Sequence, residues 1–134
     1  VDSSSIELPG SQILGVEQEG DVIRVLFDPA YVIKTMTGSV ERTKWYQKGV
    51  LIFEGAELKE PLPQLPARCS GGDVGENVYT YRDMIPLPLA SQGQAHCKIR
   101  LEGQQQAICI QADALRLVMQ EPAKYLEHIR PNPG

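Results

Sequence analysis

The sequence is poor in the residues that carry most protein chemistry. Among 134 residues there are two histidines, one tryptophan and three cysteines. The histidines are far apart and no Cys-x-x-Cys occurs, so no compact zinc ligand set is present. Asp73 and Glu76 lack the dense oxygen spacing of a calcium loop. Basic charge is also short. Lys and Arg total 13 against 17 Asp and Glu, a net charge of -4. That balance argues against a dedicated nucleic-acid binder. No apolar run approaches the roughly 18 residues of a membrane-spanning helix. No Gly-x-Ser-x-Gly elbow occurs. The glycines of 71–75 lead into Val78-Tyr79-Thr80-Tyr81, which is strand material and not the helix N-terminus that a phosphate cradle needs. No cofactor and no metal are therefore expected.

The odd, low cysteine count implies reduced thiols and a cytoplasmic protein. No Asn-x-Ser/Thr acceptor is present, in keeping with that compartment. Cys97 alternates with apolar residues and reads as a small core filler. Cys69, beside Arg68 and ahead of glycines, is the best placed for reactivity.

What the chain does have is glycine (12), proline (10) and alternation. The first two favour short strands and turns over long helices. With 42% hydrophobic residues, 6–134 makes one domain able to fold without disulfides, while the small polar segment 1–5 reads as a tail. Ala95, Cys97, Ile99 and Leu101 interleave with His96, Lys98, Arg100 and Glu102, the period-two pattern of a half-buried strand. A four-residue loop would set Ile99 opposite Ile108 and Cys97 opposite Ile110, uniting the apolar faces. Cys109 then lies on the other face from Cys97, so the two cannot form a disulfide.

Two further hairpins are predicted. A Glu19-Gly20 turn would pair Val16 with Ile23 and Leu14 with Val25. A Lys48-Gly49 turn would set Trp45 opposite Ile52 and Lys44 opposite Phe53. Segment 29–36 has helix start and stop signals, yet Tyr31, Val32 and Ile33 favour strand, which is preferred here. Asp113 to Met119 repeats that layout after its own hairpin, giving two three-stranded meanders or an internal duplication. Pro61, Pro63 and Pro66 make 59–68 an extended strap over the core. Residues 71–75 read as a flexible loop, 78–83 as a strand and 85–89 as an extended edge. Glu121 to Ile129, opened by Pro122 and closed by Pro131, reads as the one helix. The fold class is all-β and mostly antiparallel, a small β-barrel or β-sandwich of eight or nine short strands with that C-terminal helix.

Two constellations stand out. Tyr79, Tyr81 and Asp83 fall on one strand face, with Arg82 on the other, a plausible wall for a small-ligand site. Alternatively, Tyr79 and Tyr81 cap the end of the core with their hydroxyls in water. Arg42, Lys44, Trp45 and Lys48 form a basic, aromatic group suited to an anion or single-stranded nucleic acid. Glu54, Glu57 and Glu60 follow closely and favour a solvated hairpin face instead. The expected function is a non-enzymatic β domain that binds a small ligand or a protein partner. The alternatives are an enzyme acting on a small polar substrate through Tyr79, Tyr81, Arg82 or Asp83, or an anion binder using 42–48. Val22 and Leu26, and likewise Val50 and Ile52, give strands apolar on both faces, and a homodimer is expected to cover them.

Overall fold

The computed structural model describes residues 2–38 and 40–129. They form β1 (Ser3–Glu7), β2 (Gln12–Glu19), β3 (Val22–Thr35), β4 (Arg42–Glu54), β5 (Glu57–Leu58), β6 (Ala67–Glu76), β7 (Tyr79–Arg82), β8 (Met84–Leu87), β9 (Ala90–Leu101) and β10 (Ala107–Ile129). The fold is all-β and antiparallel, with no helix among the described residues.

Six strands pair in the order β2-β6-β9-β10-β4-β3, and β3 pairs back onto β2. The hydrogen-bonded order thus returns to its start. The β2–β6 step is the thinnest, two paired positions, Gln12↔Arg68 and Ile13↔Ala67. Backbone bonds from Gly10 N to Cys69 O (2.9 Å) and from Cys69 N to Ser11 O (2.8 Å) extend it. The inward faces supply the core. Ile13, Ile23, Val25, Phe27, Leu51, Phe53, Ile99, Ile108 and Leu115 are all buried there. β3, β4 and β10 then run on past the circuit. Their outer halves pair with one another, and β1 and β8 add to the β3 side.

The alternating segments behave as their pattern demands. Ile99 faces Ile108 and Cys97 faces Ile110. Residues 29–36 are strand, and β3 is central, with partners on both sides. All three cysteines are free, with Cys69 and Cys97 buried.

Several expectations need correction. The first hairpin turns one residue later, so Glu19 faces Val22 and Val16 faces Val25. Gly20, at φ 60°, takes the first loop position, where positive φ is needed. Leu14 becomes the extra residue of a bulge and is 47% exposed. No turn occurs at Lys48-Gly49, because 42–54 is one continuous strand between β3 and β10. Gly49 serves close packing there: a Cβ would lie 2.8 Å from Met119 Sδ. The predicted C-terminal helix is absent, since β10 continues through Ile129. Pro122 sits inside a bulge between Gln120 and Lys124, where its missing N–H breaks no ladder. Asp113 is no corner either: it lies within β10, opposite a bulge at Gly93-Gln94 of β9, so the second half is not a three-stranded meander. Residues 71–75 are strand and not loop. β9 crosses so closely that a Cβ on Gly72 would strike the Lys98 carbonyl and one on Gly75 the His96 ring. Residues 3–5, expected in a tail, are paired in β1.

Candidate functional site

β7 is held to β6 by Asp73↔Arg82, Val74↔Tyr81, Gly75↔Thr80 and Glu76↔Tyr79. Tyr81 therefore shares the inward face with Val74, is half-buried and packs against the core. Its hydroxyl donates to Glu76 Oε1 at 3.2 Å. Burial pushes the Tyr81 phenol up, and the Glu76 carboxylate raises it further. Glu76 Oε2 is buried with no hydrogen-bond partner. Tyr79 lies on the same face at its outer end and is 62% exposed. Arg82 points outward and pairs with Asp73 at 3.3 Å.

Asp83 does different work. It adopts φ 61° and turns the chain from β7 into β8. Its Oδ1 accepts the Gly72 N–H at 2.9 Å, and Arg100 stands 3.9 Å away. Its backbone carbonyl accepts the Leu8 N–H at 3.0 Å. A short polar side chain is what a left-handed corner tolerates. The four residues predicted as one site thus divide. Tyr81 closes the core, Tyr79 and Arg82 lie in solvent, and Asp83 is a corner with one carboxylate oxygen committed.

The basic group divides by strand parity. Arg42, Lys44 and Lys48 share one face of β4, whereas Trp45 lies on the other. Trp45 meets Tyr125 edge-on at 5.4 Å and donates to Thr43 Oγ1 at 2.8 Å. Lys34 sits 4.3 Å over the Trp45 ring and Lys44 4.5 Å over Tyr31. The chain's own cations therefore occupy the rings that a base would stack on. Lys44 also reaches Glu7 at 3.4 Å, and Lys48 reaches Glu121 at 3.6 Å. Of the three cations, only Arg42 has no ion pair among the described residues.

Arg42 and Asp83, from separate constellations in the sequence, line one groove. It measures about 510 Å³ and lies on the face that carries Glu7, Ile33 and Lys44. The floor is Ile33, which is only 7% exposed, with Met84 and Pro9 beside it. Ser5 and Glu7 of β1 form a polar wall. The register places them: Ser5 faces Ile33, Glu7 faces both Tyr31 and Met84, and Thr35 faces Arg42. The groove offers one unpaired guanidinium, an apolar floor and two carboxylates, Glu7 met by Lys44 and Asp83 by Arg100.

No protein-family model, no curated protein and no solved structure matches this chain. Function must therefore be argued from geometry. No group of three or more His, Cys, Asp or Glu side chains placed to hold a metal occurs among the described residues. No helix there is long and apolar enough to cross a membrane. Burial pushes the Cys69 thiol up to about 11, and the Gly71 carbonyl, accepting its S–H, only partly offsets this. It stays protonated at neutral pH and is a poor nucleophile. Burial raises Cys97 and Cys109 as well.

Sequence reasoning missed Glu7, Ile33 and Met84 as groove residues, because no pattern joins β1, β3 and β8 before their pairing is known. It also missed Ser11, the one fully buried polar residue among those described. Ser11 Oγ donates to the Glu7 carbonyl at 2.6 Å and accepts the Tyr31 N–H at 2.9 Å. A serine following Pro9-Gly10 was the only sign of it.

Proposed function

We propose that this chain is a non-enzymatic binding domain whose ligand lies on the outside of the sheet, in the groove between Arg42 and Asp83. The pairing circuit is read here as a small closed barrel. Its interior is filled by side chains such as Phe27, Phe53 and Leu115, which supports placing the ligand outside it. The observation that carries the proposal is the groove's charge arrangement. A lone guanidinium stands at one end, carboxylates at the other, and a dry floor lies between. A zwitterion matches that order: an amino acid or a short peptide, its carboxylate on Arg42 and its ammonium toward Glu7 and Asp83. Arg42 suits the task because its planar fork takes a carboxylate through two parallel hydrogen bonds. The free thiols support a reducing compartment, and the cytoplasm is part of this reading.

The test is NMR titration with a panel of amino acids and dipeptides, following the Ile33 and Met84 methyl signals. The expected result is saturable shifts of both methyls, lost in Arg42→Ala and lost when the ligand carboxylate is amidated. Methyls that do not move at millimolar ligand, or that move equally in Arg42→Ala, would overturn the proposal.

A further inference from the structure

β10 leaves an open sheet edge. On one side it pairs with β4 from Ala114 to Ile129, but on the other its pairing with β9 ends at Arg116↔Ala90. One more backbone bond follows, Leu117 N to Leu89 O at 2.9 Å. Beyond it, no described strand pairs with the side of β10 away from β4. The bulge at 121–123, with Pro122, interrupts that edge. What remains is a short run, Lys124 to Ile129, whose Tyr125 and Leu126 are 54% and 46% exposed.

This run is self-complementary. Lys124 faces Tyr46 and Glu127 faces Lys44 across the β4 ladder. Tyr46 and Lys44 are two residues apart and so share a face. Lys124 and Glu127 are three apart and share that same face, because Leu126 is an extra residue in a second bulge. In antiparallel pairing of two such runs about a two-fold axis between residues 125 and 126, Lys124 lies opposite the partner's Glu127. Tyr125 lies opposite the partner's Leu126. Without the bulge, the parity of the strand would put the two charges on opposite faces and no such pairing would close.

We propose that the chain forms a two-fold dimer by pairing β10 edges over residues 124–127. The contact is isologous, so the two charge pairs form together and the contact cannot propagate into a filament. The occupant is a second copy because both halves of the charge pattern sit on the same four residues, 124–127. Among the described residues neither Lys124 nor Glu127 makes an ion pair, and the Lys124 ammonium lies 5.9 Å over the Tyr46 ring. Val50 and Ile52, which suggested a dimer from the sequence, are only 7% and 8% exposed within one chain, so they do not carry this proposal.

Sedimentation of the full chain over a micromolar concentration range tests it. The wild type should show a monomer–dimer equilibrium. Lys124→Glu alone, or Glu127→Lys alone, sets like charges opposite each other twice and should weaken the dimer roughly tenfold or more. The double variant Lys124→Glu/Glu127→Lys should restore it. An equimolar mixture of the two single variants should form a mixed dimer. Circular dichroism of each variant should be unchanged, since both side chains are exposed. A protein that stays monomeric throughout would overturn the proposal. So would a dimer indifferent to either reversal, which would lie at another surface.

Discussion

Ser11→Ala removes one oxygen atom from the place where three strands and the seam of the circuit meet. The hydroxyl accepts the Tyr31 N–H of β3 and donates to the Glu7 carbonyl at the end of β1. The Ser11 backbone carbonyl accepts the Cys69 N–H of β6. Ser11 is 0% exposed, so water does not replace the lost partner in the folded chain. A buried donor left unsatisfied costs about 1–3 kcal/mol, and the second bond adds about 1 kcal/mol more. The expected loss is therefore ~2–4 kcal/mol, a large part of a total stability of about 5–15 kcal/mol. With a urea m-value near ~2 kcal/mol/M, the midpoint should fall by ~1–2 M at unchanged m. Equilibrium urea unfolding, followed by the fluorescence of Trp45, reads this directly. A midpoint shift equivalent to under ~0.5 kcal/mol, the range of ordinary surface substitutions, would refute the reasoning. It would mean that the Tyr31 N–H finds another acceptor. A reduced m-value would instead point to a seam that opens before global unfolding, since the Gly10 N–H and the Ser11 carbonyl both bond across it to Cys69.

Gly72→Ala drives a Cβ into the Lys98 carbonyl and Ile99 Cα, which are backbone and cannot step aside. It should cost ~2–4 kcal/mol by urea unfolding, whereas Gly15→Ala, with nothing within 4 Å, should cost nothing or stabilise slightly. The Cys69 thiol is raised from 9.0 to about 11 by burial, so the unfolded chain loses that proton first. Its contribution to stability should be complete below about pH 9 and fall as pH rises toward 11, and Cys69→Ala should flatten the alkaline limb of a stability–pH profile.

The parts of the fold that were legible are those where alternation is strict and both partners are local. The β9–β10 hairpin has an unbroken inward file on each strand, so only one register unites the apolar faces. The β2–β3 hairpin has a bulge, and a bulge shifts parity without leaving a mark in composition. Placing the turn one residue early exchanges the partners of every inward side chain, and only the position of Gly20 at the left-handed site argues for the correct frame. The glycines of β6 misled for a related reason. Glycine marks flexibility where a chain is exposed and close approach where it is covered, and the sequence alone does not say which. At Gly72 the covering atoms belong to β9, more than twenty residues away. The C-terminal helix failed on the same ambiguity. Tyr125, Leu126 and Ile129 make one helical face, but the same residues line a bulged strand when β4 stands beside it.

The groove was illegible for a more basic reason: it belongs to no segment. Arg42 was noticed as one cation among several, and Asp83 as the end of an aromatic strand. What separates Arg42 from Lys44 and Lys48 is that no ion pair reaches it among the described residues, whereas Glu7 of β1 meets Lys44 and Glu121 of β10 meets Lys48. What brings Asp83 to it is the corner that Gly72 and Leu8 hold in place, which carries β8 against β1 and so sets Met84 beside Glu7. The same logic extends to the edge of β10. Lys124 and Glu127 become a pair able to meet a second copy only because Leu126 is an extra residue, and Leu126 is extra only in the register that Trp45 and Tyr125 set. The interior is filled by the chain's own side chains, and bulges decide which side chains the outer faces and edges present.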